Sequence, residues 1–112
     1  MNTEEIVEWH KKTFPDASEI SQILKLDEEF KEYKESSPAD VPHAFADCLI
    51  VAVALTFRYK NPLGKFVFEM LTMLGMPDEP ALVALREKMQ INRERVWIKM
   101  PDGSYIHEEK LQ

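Results

Sequence analysis

From Val41 to Phe57 the chain is apolar except for one charge, Asp47, and no other charged residue stands between Asp40 and Arg58. This run constrains the fold more than any other feature. Read as a helix, it is apolar around its whole circumference and must be covered on every side. A carboxylate inside such a helix is costly unless it is paired, hydrogen-bonded or bound to a cation. Asp47 therefore reads either as half of a buried pair with an Arg, Lys or His of a neighbouring helix, or as a metal ligand.

The rest of the 112 residues supplies helices to do the covering. Asn2 and Glu5 stand at capping-box spacing and predict a helix over about residues 3–14, broken by Pro15-Asp16. Asp16 and Glu19 repeat that spacing and open a second helix lasting to about residue 35. Its Ile23, Leu26, Phe30 and Tyr33 share one face. Ser37 or Asp40 is the expected cap of the apolar helix. Asn61-Pro62 reads as cap and first turn of a fourth helix, in which Leu63, Phe66, Val67, Met70, Leu71 and Leu74 keep the 3.6-residue period until Gly75. Pro77 and Pro80 bracket the start of a fifth helix that runs to about residue 97. Pro101-Asp102-Gly103 is a turn signal between Trp97-Ile98 and Tyr105-Ile106. The expectation is an all-α, single-domain bundle of four or five helices with a short irregular or hairpin-like C-terminal arm. So short a chain has few helices with which to surround the apolar one, so a homodimer or homotetramer is expected to complete its cover.

The net charge of −6 argues against direct DNA or RNA binding, which needs clustered cations. The N-terminus lacks the basic-then-apolar order of a signal peptide. The apolar run is short for a membrane span and carries a central aspartate. The lone cysteine, Cys48, lies within it and reads as a buried thiol in a reducing compartment. A cytoplasmic location without membrane contact is expected.

Upstream of Asp47 lies Glu28-Glu29-Phe30-Lys31-Glu32. Glu29 and Glu32, three apart, share a helix face, whereas Glu28 points further toward solvent. A shared cation is one reason to place two carboxylates together, and hard oxygen ligands suit Mg²⁺ or Mn²⁺. The alternative is a solvated acidic face balanced by Lys25 and Lys31. Lys88, Asn92 and Arg95 fall on one stripe of the fifth helix, and two cations plus an amide form a phosphate grip. Pairing with Glu87, Glu94 or a neighbouring helix would explain the same stripe. Arg86 and Arg93 lie on the opposite side and read as solvated.

These motifs together resemble the all-α nucleoside triphosphate pyrophosphohydrolases, the superfamily of MazG-like proteins and dimeric dUTPases. Leu26-Asp27-Glu28-Glu29-Phe30-Lys31-Glu32 matches L-x-E-E-x-x-E. Ala44 to Ile50 aligns with E-x-x-D followed by an apolar helix, and Lys88, Asn92 and Arg95 match K-x3-N-x2-R. The flanks, Trp9 to Phe14 and Trp97 to His107, resemble a small phage- or bacteria-associated branch. The resemblance spans nearly the whole chain, residues 1–112.

The resemblance implies Mg²⁺-dependent (Mn²⁺ as alternative) cleavage of a nucleoside or deoxynucleoside triphosphate between the α- and β-phosphates, giving monophosphate and pyrophosphate. It implies Glu29, Glu32 and Asp47 as metal ligands, Glu28 as the group that orients the attacking water or acts as base, and Lys88, Asn92 and Arg95 as phosphate ligands. Trp9, Phe14 and Trp97 are the candidates for stacking on a base, with a core role as the alternative. One position departs from the pattern. Ala44 stands where the first acid of E-x-x-D is expected, and Asp40 or His43 is the candidate to stand in for it. The rival reading that Ala44 raises is a MazG-like homologue that binds nucleotide or a protein partner without turnover. A plain helical oligomerisation module is the third reading.

Overall fold

The computed structural model describes residues 2–74 and 79–111. Gly75 and Pro77, read as a helix stop and a helix bracket, lie outside them. The described chain forms α1 (Thr3–Thr13), α2 (Glu19–Glu35), α3 (Val41–Val53), a π-helical turn (Ala54–Arg58), α4 (Pro62–Leu74) and α5 (Glu79–Glu94). A hairpin of β1 (Trp97–Lys99) and β2 (Tyr105–His107) follows, then a 3₁₀ turn, Glu108–Leu111. The all-α bundle with a hairpin-like arm is what the sequence predicts. The fifth helix ends at Glu94, earlier than its pattern implies.

Caps explain most of the boundaries. Asn2 Oδ1 accepts the Glu5 N–H at 2.9 Å, as expected. At α2 the cap is Ser18, whose Oγ accepts the Ser21 N–H at 3.1 Å, and not Asp16. Asp16 instead pairs with Lys99 of β1 at 3.0 Å. Asp40 occupies the cap position of α3 without capping it, because its carboxylate accepts the Ser37 hydroxyl at 2.8 Å. Asn61 Oδ1 accepts the N–H groups of Leu63 and Gly64, at 2.8 and 3.2 Å. In the arm, Gly103 adopts φ 87°, a left-handed turn conformation that glycine takes without steric cost.

α3 and the π-turn form the core. Cys48, Ala52, Ala54 and Leu55 are fully buried, and Ala46, Leu49 and Val53 nearly so. The cover comes from α1, α2, α4 and α5 of the same chain. Enclosure within one chain corrects the expectation that the apolar helix needs a partner subunit. With the π-turn the helical stretch Val41–Arg58 is long and apolar enough to cross a membrane, contrary to the sequence reading; in this fold it is a largely buried core helix. Cys48 is a free, buried thiol, pushed up to about 12 first by burial. Apart from Phe57 of the π-turn, the uncovered large apolar side chains lie elsewhere among the described residues. Among the residues of the periodic set on α4 whose side chains are described, Val67 and Leu71 belong to the core, while Leu63, Phe66 and Met70 are exposed.

The π-turn sets where Arg58 points. Its extra residue per turn shifts the register after Val53, and the Asn61 N–H reaches back to the Leu55 carbonyl at 2.9 Å. Lys60, at φ 55°, stops the helix. Arg58 is thereby brought over the C-terminus of α1. There Nη1 donates to the carbonyls of His10 and Phe14 at 3.2 and 2.9 Å, and Nη2 to that of Pro15 at 3.1 Å. A cation donating to the last carbonyls of a helix satisfies acceptors that would otherwise lack partners.

Candidate active site

Two adjacent helices deliver the acids. Glu29 and Glu32 come from α2, and Asp47 comes from the face of α3 packed against it. One carboxylate oxygen from each lies within 4.8 Å of the other two. Glu29 is 6% exposed, Asp47 is half-buried, and Glu32 is open to solvent. Such closely packed anions need cations. Lys25 Nζ lies 3.2 Å from Glu29 Oε1, one turn away on α2, and Lys88 Nζ reaches from α5 to 3.3 Å from Asp47 Oδ2.

The paired reading of Asp47 is met, with Lys88 of α5 as its cation. It also belongs to a carboxylate cluster. The pairing is incomplete, because Glu29 Oε2 is buried with no hydrogen-bond partner among the described residues. Burial pushes the Glu29 carboxyl up to about 7; Lys25 opposes the shift, and the Asp47 and Glu32 charges add to it. Asp47 is also raised, first by burial, with Lys88 opposing. A cluster with an unsatisfied oxygen and a disfavoured negative charge is suited to a divalent cation, and its donors are the hard oxygens that Mg²⁺ or Mn²⁺ prefers.

The cluster lines a cavity of about 230 Å³. Lys88, Asn92 and Arg95 line its α5 side. Arg95 Nη1 donates to Asn92 Oδ1 at 3.3 Å, and the Trp97 indole N–H donates to the Asn92 carbonyl at 3.0 Å. Arg95 Nε is buried without a hydrogen-bond partner among the described residues, so this guanidinium keeps donor capacity in hand. Part of the lining is aromatic. Trp9, Phe14 and Trp97 meet edge to face, with ring centroids 4.9–6.4 Å apart, and Tyr105 and His107 of β2 complete the wall. Phe14 is 7% exposed and serves mainly to hold the two indoles, which are half-buried. The hairpin is thus part of the site, since it supplies Trp97, Tyr105 and His107.

Three sequence candidates stand apart. Glu28 is half exposed, lies 3.9 Å from Lys25 and does not line the cavity. Asp40 is exposed and bonded to Ser37, while His43 Nε2 lies 2.6 Å from Glu87 on α5, at the surface. Neither joins the carboxylate cluster, which corrects the expectation that one of them replaces the acid missing at Ala44. Both sit nearer the start of α3, with partners of their own outside the cavity.

Sequence reasoning named Lys25 as a balancing charge for the acidic face, and missed His10, Gln22 and Arg58. Gln22, Leu26 and Glu29 share a buried stripe of α2, and His10 lies one turn after Ile6 on the buried face of α1. A polar residue at a core-facing position was the available signal. Arg58 carried none, because its reach depends on the π-turn.

No family model matches the chain, and no curated protein matches it. Among solved structures it is similar to the cyanophage S-2L MazG-like pyrophosphohydrolase bound to dGDP and three catalytic Mn²⁺ ions per active site. The two share 28% sequence identity over 94% of this chain and 87% of that one, with a TM-score of 0.48.

Proposed function

We propose that this chain is a Mg²⁺-dependent pyrophosphohydrolase that cleaves a nucleoside or deoxynucleoside triphosphate between the α- and β-phosphates. Water attacks phosphorus, the bond to the β-phosphate side breaks, and the products are a nucleoside monophosphate, pyrophosphate and a proton. The observation that carries this reading is the convergence of Glu29, Glu32 and Asp47 within 4.8 Å in a cavity that is also lined by aromatic rings. Lys88, Asn92 and Arg95 of α5 line the same cavity.

Glu29, Glu32 and Asp47 would hold the metal, and the buried, unpartnered Glu29 Oε2 fits that role. A bound divalent cation neutralises the polyphosphate and lowers the pKa of the attacking water. Lys88, held at Asp47, and Arg95, with buried donor capacity, bind phosphate oxygens and stabilise the charge that develops on departing pyrophosphate. Trp9 and Trp97 offer half-buried ring faces to a base. Glu28, outside the cavity lining, has no role in this account. Self-association belongs to the same reading, supported by exposed Leu63, Phe66 and Met70 on α4; a monomer by light scattering at micromolar concentration would remove it.

A screen of ribo- and deoxyribonucleoside triphosphates with Mg²⁺ and with Mn²⁺ tests the proposal, following pyrophosphate and orthophosphate separately. Metal-dependent pyrophosphate release supports it, and primary orthophosphate release sinks it. The reading without turnover is favoured by Ala44 and requires nucleotide binding with neither product.

A further inference from the structure

Beside the aromatic wall lie three polar side chains that the proposed reaction does not use. Arg58 Nη1 is 2.7 Å from His10 Nδ1, and His10 Nε2 is 3.0 Å from Gln22 Oε1. A guanidinium has only donors and keeps its charge, so Nδ1 must be the accepting nitrogen. A neutral imidazole has one ring hydrogen, which then sits on Nε2 and donates outward. The atom facing it must accept, and this assigns the carboxamide oxygen of Gln22 to His10 on chemical grounds. The Gln22 NH₂ is left over. It has no hydrogen bond among the described residues, and Gln22 lines the cavity with Trp9, Phe14 and Trp97.

The relay is held rigidly. Arg58 is anchored by three carbonyls at the end of α1, His10 is 2% exposed and Gln22 is 8% exposed. Burial lowers His10 to about 4, the Gln22 hydrogen bond opposes that, and Arg58 adds to it, so the imidazole stays neutral at neutral pH.

We infer that the Arg58–His10–Gln22 relay locks Gln22 as a hydrogen-bond donor into the cavity, selecting a nucleobase that presents a carbonyl oxygen over one that presents an amino group at the same position. The inference rests on the reading that this cavity takes a nucleotide. An unconstrained glutamine can turn its amide to offer either oxygen or nitrogen and accept both kinds of base. A locked one cannot. Facing an amino group, two sets of donors lose water and gain no partner, which costs more than a contact merely absent.

The test uses two pairs of nucleotides, dITP with dATP and dUTP with dCTP, whose members differ by an oxo or an amino group on the base. Binding is measured by calorimetry, with Ca²⁺ in place of Mg²⁺ to suppress turnover. The wild type should bind the oxo member of at least one pair ~10-fold or more tighter. Gln22→Glu replaces the NH₂ by an acceptor of the same size and should abolish or reverse that ratio, whereas a merely structural role would weaken both members alike. Arg58→Met frees the histidine tautomer and should bring the ratio toward one; if loss of the α1 cap unfolds it, Gln22→Glu alone decides. Equal binding within both pairs, an amino preference, or a ratio unchanged in Gln22→Glu overturns the inference and leaves the proposed hydrolysis standing. No binding of these four, nor of the other ribo- and deoxyribonucleoside triphosphates, overturns the proposed function, and the inference with it.

Discussion

Lys25 Nζ lies 3.2 Å from one carboxylate oxygen of Glu29, while the other oxygen is buried without a hydrogen-bond partner among the described residues. One ammonium thus satisfies half of a nearly buried carboxylate. With its ordinary value of 4.5 raised to about 7, Glu29 costs the fold nothing below pH 4.5, where it is protonated in both states. The cost grows as pH rises from 4.5 to 7 and is complete above that. Without metal, Glu29→Gln should therefore be more stable than wild type at pH 8, by about 1–2 kcal/mol, and no more stable at pH 4. Added Mg²⁺ should stabilise the wild type and leave the variant unchanged. Melting curves at the two pH values check this, and a variant less stable at pH 8 contradicts it.

His10 acts with the opposite sign. Its ordinary value of 6.5 is lowered to about 4, so above pH 6.5 it is neutral in both states and makes no difference. Between pH 6.5 and 4 the unfolded chain takes up a proton that the folded chain refuses, and stability falls on acidification by about 2–3 kcal/mol. Glu29 offsets this in part of the same window. The clean measurement is therefore melting temperature against pH in the Glu29→Gln background. The acid-side fall should be present there and largely absent once His10→Gln is added.

Gly64 marks where α4 presses on the π-turn. A Cβ at this position would stand 2.6 Å from Leu55 Cβ, 2.9 Å from the Leu55 carbonyl carbon and 3.0 Å from the Thr56 nitrogen. Backbone atoms cannot rotate away, so Gly64→Ala should force the elements apart and cost about 1–3 kcal/mol. Denaturant unfolding reads this directly; a neutral substitution would mean that α4 sits further from Leu55.

Ala44 lies one turn before Asp47 on α3, so Ala44→Glu adds a carboxylate at the spacing that lets two acids share a cation. Without metal the added charge should destabilise the fold by about 1–3 kcal/mol. Mg²⁺ or Mn²⁺ should recover that loss and raise turnover. Equal destabilisation with and without metal would place Ala44 off the site.

Local signals were legible at several positions where a side chain acts on its own turn. Asn2 and Asn61 cap as their spacing indicates, and Leu26 faces the core as its period indicates. Ser18 displaced Asp16 because the tertiary partner Lys99 takes that carboxylate, and no local pattern encodes a residue so distant. Glu29, Glu32, Lys88, Asn92 and Arg95 were readable from helical spacing and Asp47 as a lone charge in an apolar run, and the structure gathers them around one cavity. The relay was not readable. It depends on one extra residue in the helix after Val53, which turns Arg58 toward a histidine on the first helix.

The central claim is a choice of bond. Phosphorus-31 NMR of a triphosphate incubated with the wild-type chain and Mg²⁺ observes it directly, because monophosphate, diphosphate, pyrophosphate and orthophosphate give separate signals. Equimolar nucleoside monophosphate and pyrophosphate, absent with chelator and absent in Asp47→Asn of unchanged helical content, is the result expected. Nucleoside diphosphate with orthophosphate, or an intact triphosphate across all bases and both metals, would contradict the account.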